Sequence, residues 1–192
     1  MKLSGWTAMA LVIGLAACGS SEQASEPTEG VATPTDAAAT GAADASSMTA
    51  VANLQTAEGK PAGTATATPG EGTMLLSLRV EGLPPGEHGV HVHMVGKCEA
   101  PKFQSAGSHW NPGNKQHGLE NPQGQHAGDM PNLTVGEDGR GTLSYTLKGA
   151  TIDGLLDGDG SAMVVHAKAD DQKTDPSGDS GDRIACGVFS AG

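Results

Sequence analysis

At 192 residues the chain has room for one domain plus additional segments. Its formal charge of -11 argues against a nucleic-acid partner, because phosphate binding needs a basic face. With 29 Gly, 11 Pro and 3% aromatics, the composition favours short strands joined by turns, and no run approaches the roughly 18 apolar residues that cross a membrane as a helix.

Residues 1–17 read as a targeting segment. Lys2 supplies a positive start, and Trp6 to Ala17 is an apolar stretch too short to span a bilayer. It ends in Leu15-Ala16-Ala17-Cys18, which resembles a bacterial lipobox and so implies cleavage before Cys18 and lipidation of that cysteine. An ordinary secretory signal that happens to end in cysteine is the alternative. From Gly19 to Ser47 the chain is Ala, Ser, Thr, Glu, Pro and Gly without periodicity, and it lacks the apolar surface to offset its ordering entropy. Residues 18–47 are therefore expected to form a lipidated tether, with residues 48–192 as the folded domain. The implied location is the cell envelope, anchored to the membrane through Cys18, with the domain in the periplasm of a Gram-negative bacterium. The domain carries 10 Lys and Arg against 17 Asp and Glu, a formal -7.

Setting Cys18 aside leaves Cys98 and Cys186, an even pair in a chain bound for an oxidising compartment. A disulfide between them would close a loop of about 88 residues. Two free buried thiols are the other possibility.

Within the domain, short apolar runs alternate with turn signals. Met48–Ala57, Thr64–Thr68, Met74–Val80, Gly89–Met94, Leu133–Val135, Gly141–Leu147, Ala162–Ala167 and Ile184–Phe189 are predicted strands. The sequence LPPGEHG is read as the stop before the fourth of them, and GEDGR as a hairpin turn. Eight strands at this spacing predict an all-β antiparallel Greek-key sandwich or flattened barrel. Two long loops interrupt it, Lys97–Pro131 and Ala169–Asp182, and loops of that length in a compact domain usually carry function.

Six of the seven histidines fall between His88 and Asp129, and the seventh, His166, ends the apolar run MVVH. On a strand, His91 and His93 point the same way. His109, His117, His126 and Asp129 follow in the long loop, and three imidazoles with one carboxylate make a reasonable tetrahedral zinc shell. Neutral imidazole suits copper and zinc better than an oxygen-seeking cation.

The order and spacing of GEHGVHVH, SAGSHWNP, His117-Gly118, HAGDMPN, VVHAKADD and RIACG resemble the copper/zinc superoxide dismutase family throughout residues 48–192. The resemblance implies copper held by His91, His93, His109 and His166, and zinc held by His109, His117, His126 and Asp129, with His109 bridging the two. It implies that His88 hydrogen-bonds backbone near the copper, that Asp170 links His91 to His117, and that Arg183 attracts and orients the anion. It also implies the Cys98–Cys186 disulfide. The expected activity is dismutation of superoxide to dioxygen and hydrogen peroxide by alternating Cu(II) and Cu(I), with His109 as proton carrier and zinc supporting it. A domain of the same fold that only binds or buffers copper and zinc is the alternative. The chain would act as a monomer or a homodimer. Lys168 is a further candidate for local positive charge. Val90 and Trp110 stand where the family commonly has phenylalanine, and both are expected to face packing.

Overall fold

The computed structural model describes residues 48–192, so the readings made for residues 1–17, Cys18 and the tether lie outside the described residues. Nine antiparallel strands form one sheet: β1 Ala50–Thr56, β2 Pro61–Gly70, β3 Thr73–Val80, β4 Gly86–His88, β5 Val90–His93, β6 Leu133–Val135, β7 Gly141–Lys148, β8 Ala162–His166 and β9 Arg183–Ala191. Alternation makes the strands. On β3 the side chains of Met74, Leu76, Leu78 and Val80 turn inward, while those between them face outward. Ala50, Ala52 and Leu54 of β1 and Ala65 and Ala67 of β2 meet them in the same core, joined by Val90, Val92, Leu133, Leu147, Met163 and Phe189.

The strand order is β4-β6-β7-β3-β2-β1-β9-β8-β5. The chain leaves β3 for an edge and later leaves β7 for the opposite half, which is the expected Greek-key connection. The two outermost strands, β4 and β5, are consecutive in the chain and separated only by Gly89. One continuous segment thus belongs to both edges and bends the sheet into a flattened barrel. This ninth strand is the departure from the eight expected. LPPGEHG reads as a stop, yet the three residues that follow Pro84-Pro85 within it pair with β6, Gly86 against Val135 and His88 against Leu133. Other differences are small. β2 starts at Pro61 rather than Thr64, and a short helix, α1 (Ile152–Leu155), is capped by Thr151, whose Oγ1 accepts the Gly154 N–H at 3.1 Å.

The free edge of β5 is covered by the long loop. Val92 N–H donates to the Gly128 carbonyl (3.0 Å), Trp110 N–H to Val92 (2.8 Å) and Met94 N–H to Ser108 (2.9 Å). An edge strand is stabilised when its open hydrogen bonds are filled this way. Val90 and Trp110 are buried in the main core, as expected. A second, smaller apolar cluster on the outer face of β8 and β9 holds Phe103, Ala106, Ala162, Val164 and Cys186. Over it sits the Cys98–Cys186 disulfide (Cα–Cα 5.7 Å), which pins the start of the long loop to β9 and removes the free-thiol alternative.

Candidate metal centre

β5 presents His91 and His93 to the covering loop, and that loop returns His109 opposite His93 and Asp129 opposite His91 as isolated antiparallel bridges. β8 delivers His166 at its end, beside Arg183 at the start of β9. All seven histidines of the chain lie within the described residues and all are buried. Burying so many imidazoles is costly unless each ring atom has a partner.

In four of the rings, those of His91, His93, His109 and His166, partners account for one nitrogen only. His91 Nε2 lies 2.6 Å from Asp170 Oδ2, His93 Nδ1 2.9 Å from the Gly107 carbonyl, and His166 Nδ1 3.2 Å from the Gly181 carbonyl. His109 Nδ1 lies 3.1 Å from Asp129 Oδ1. The opposite nitrogens, His91 Nδ1, His93 Nε2, His109 Nε2 and His166 Nε2, are buried without a hydrogen-bond partner. These four residues place one ligand atom each within 4.8 Å of one another. Outer hydrogen bonds fix each ring so that a lone pair faces the centre, as they do for metal-binding histidines. Four converging, unsatisfied imidazole lone pairs fit a copper ion by donor type and by number.

A second set adjoins the first. Asp129 Oδ1 is 3.1 Å from His109 Nδ1, 3.1 Å from His117 Nδ1 and 3.2 Å from His126 Nδ1, while Asp129 Oδ2 accepts the N–H groups of Gly118 and His126 at 2.9 Å each. Three imidazoles and one carboxylate fit zinc. His91 also approaches within 4.8 Å of His109, His117 and Asp129, but its Nε2 is held by Asp170 and its free Nδ1 belongs with the first set. His109 alone offers one nitrogen to each set. Asp170 spans them from behind, with Oδ2 at His91 and Oδ1 3.0 Å from His117 Nε2.

Protonation follows from this arrangement. Burial holds His109 at about 4 and His166 at about 3, and it keeps His93 and His91 below the usual range as well. At neutral pH these rings are uncharged and their lone pairs are available. His117 is the exception. Burial lowers it, but hydrogen bonds to Asp129 and Asp170 outweigh that and raise it to about 9. Burial disfavours the charged forms of Asp129 and Asp170 too, yet their histidine partners hold both carboxyls well below the ordinary carboxylate range.

His88 is not part of either set. Its Nδ1 and Nε2 lie 2.7 and 2.9 Å from the carbonyls of His166 and Pro84, tying β4 to the end of β8. Arg183 donates from Nη1 to the Phe103 carbonyl (2.6 Å) and from Nη2 to the Gly107 carbonyl (2.7 Å), the same oxygen that His93 uses. A recess of about 220 Å³ opens beside it, lined by Pro101, Lys102, Asp182 and Arg183. The stem of Lys168 packs near Gly181 rather than lining that recess.

Three supports were not assigned from the sequence. Asn132 accepts the Asp170 N–H (2.8 Å) and donates to the Asp170 carbonyl (2.9 Å), so a side-chain amide holds the two loops together. Asp175 accepts the His117 N–H at 2.7 Å. Gly178 sits at φ 62°, where an added Cβ would fall 1.9 Å from Asp170 Oδ1. Asn132 closes the motif HAGDMPN, but its reach of 38 residues along the chain leaves no local signal.

Comparison with known proteins agrees with this geometry. Residues 61–189 match the family model for copper/zinc superoxide dismutase. The chain belongs to the copper/zinc superoxide dismutase family. It is 44% identical to a superoxide dismutase [Cu-Zn] of Caulobacter vibrioides over 147 residues, covering 73% of this chain and 84% of the relative. A superoxide dismutase [Cu-Zn] of Aquifex aeolicus is 42% identical over 144 residues, covering 72% and 84%. Among solved structures, a superoxide dismutase-like protein from Bacillus subtilis superposes with a TM-score of 0.66 at 41% identity, covering 72% of this chain and 96% of that one.

Proposed function

We infer that the chain is a copper/zinc superoxide dismutase, converting superoxide to dioxygen and hydrogen peroxide. The observation that carries this reading is the convergence of four of the five unpartnered buried ring nitrogens, those of His91, His93, His109 and His166, beside Arg183, the fifth being His126 Nδ1 in the adjoining set. We propose that His91, His93, His109 and His166 hold copper, and that His109, His117, His126 and Asp129 hold zinc. Copper held by the first set would supply the one-electron couple for both half-reactions, and zinc held by the second would supply a fixed, redox-inert charge.

The protein's own residues do the rest. Arg183 uses two of its N–H groups on backbone carbonyls, which fixes the guanidinium plane and leaves donors for an anion. His109 keeps Nδ1 turned to Asp129, and its Nε2 is the atom that can take up a proton and deliver it to the departing product. Asp170 and the Gly107 and Gly181 carbonyls prevent the other rings from rotating as charge changes. The four nitrogens and the arginine are all present, so a domain that merely buffers metal is not the favoured reading. A His166→Ala variant tests the division of labour: it should lose dismutase activity and copper yet retain zinc, read by metal analysis. Loss of zinc as well would contradict two separable sets.

We further propose that Cys18 is lipidated and that the domain stands in the periplasm on the residue 18–47 tether. The lipobox-like Leu15–Cys18 and a disulfide suited to an oxidising compartment support this. Cys18→Ser should release the protein from the membrane fraction, whereas unchanged fractionation would contradict lipidation.

A further inference from the structure

The long loop has an outer side that the metal chemistry does not use. There a recess of about 360 Å³ lies between the loop and the end of β7, lined by Lys115, Leu119, Gln125, His126, Ala127 and Lys148 among others. No Asp or Glu lines it. Neither Lys115 nor Lys148 has a carboxylate within 4.0 Å among the described residues, where the one Lys–carboxylate pair is Lys173 with Glu120. In a domain with 17 acids and 10 bases, two cations facing one cavity without a counter-charge is the reverse of what composition favours. The lysines come from different elements, Lys115 from the loop and Lys148 from β7. Gln125 adds an amide donor.

We propose that this recess binds a small oxyanion, a phosphate or a carboxylate, held between Lys115 and Lys148. Occupation supplies the counter-charge that both lysines lack and ties the loop to the barrel. The inner wall is His126, so the bound anion also steadies the ring that faces Asp129 Oδ1. The site rests on the recess alone and stands whether or not the chain dismutes superoxide.

The test is calorimetric titration of the metal-loaded full-length chain at low ionic strength, with inorganic phosphate in one arm and acetate in the other. One saturable site is expected for at least one anion, and the arm that saturates identifies the chemistry. Lys115→Gln and Lys148→Gln should each weaken binding about two- to fivefold, the ordinary worth of an exposed ion pair, and Lys148→Arg should retain it. Arg183→Gln should leave this binding intact, which separates it from an anion beside the metal centre. In wild type, the anion should also slow zinc release to a chelator, an effect missing from the Lys115→Gln/Lys148→Gln double variant. Absence of saturable binding in both arms, binding unchanged in the double variant, or binding lost in Arg183→Gln alone would overturn the proposal.

Discussion

Asp170 shows how much one carboxylate can hold: its two oxygens fix His91 and His117, and Asn132 holds its backbone on both sides. Asp170→Ala should therefore weaken metal binding by about 10–100-fold, as for other outer partners of metal-bound histidines, measured by competition with chelators. Unchanged affinity would show that the rings are fixed without it. Gly178→Ala should give a milder version of the same loss and destabilise the fold by about 1–3 kcal/mol, since the backbone is left-handed there and the new Cβ meets Asp170. The proton equilibria give a third expectation, for the metal-free chain. His109 and His166 have folded values of about 4 and 3, below their unfolded value, so their contribution is present above about pH 6.5 and is lost as pH falls toward those values. The depressed carboxyls of Asp129 and Asp170 act in the same direction at lower pH. His117, raised to about 9, contributes below about pH 6.5 and loses that contribution as pH rises through 9. Urea midpoints of the metal-free chain should peak near neutrality and fall on both sides. A midpoint that rises steadily toward pH 9 would contradict the Asp129–His117–Asp170 arrangement.

Among the elements, the disulfide joins the long loop to β9 across 88 residues of sequence. Cys98→Ser/Cys186→Ser should cost about 4–5 kcal/mol in urea unfolding by the chain-entropy relation, with residual unfolded-state structure reducing it. A change below about 1 kcal/mol would mean that the loop is held by its backbone bonds to β5 and by the Phe103 cluster instead. The longer strands were legible because period-two alternation is strong on β3 and β7 and because turn residues flank them. β4 was not, since three residues after Pro84-Pro85 are too few to show a period, and their pairing with β6 is set by the barrel. The zinc candidates were legible as residue types at characteristic spacings, and the copper candidates only through the resemblance of their motifs to the family. Asn132, Asp175 and Gly178 were not, because each acts on a residue far away in sequence through contacts that only the folded loops create. The unpaired ring nitrogens likewise emerged only once the outer partner of each ring was known.

At the scale of the molecule, an acidic domain must attract an anionic substrate. Net charge does not decide this; the field at the opening does. Arg183 and the nearby Lys102 give the recess positive charge, with Asp182 opposing them. Activity should fall with ionic strength, and Arg183→Ala should lower the rate by about tenfold or more while flattening that dependence. A rate indifferent to both salt and Arg183 would mean that the bound metals alone draw the anion in. The central claim is more basic, that the histidine centre is a redox site and not a metal store. Metal analysis joined to a superoxide assay on purified residues 48–192 addresses it directly. The account predicts about one copper and one zinc per chain, with rapid dismutation that disappears on removing copper. The same metal content without dismutation would contradict it.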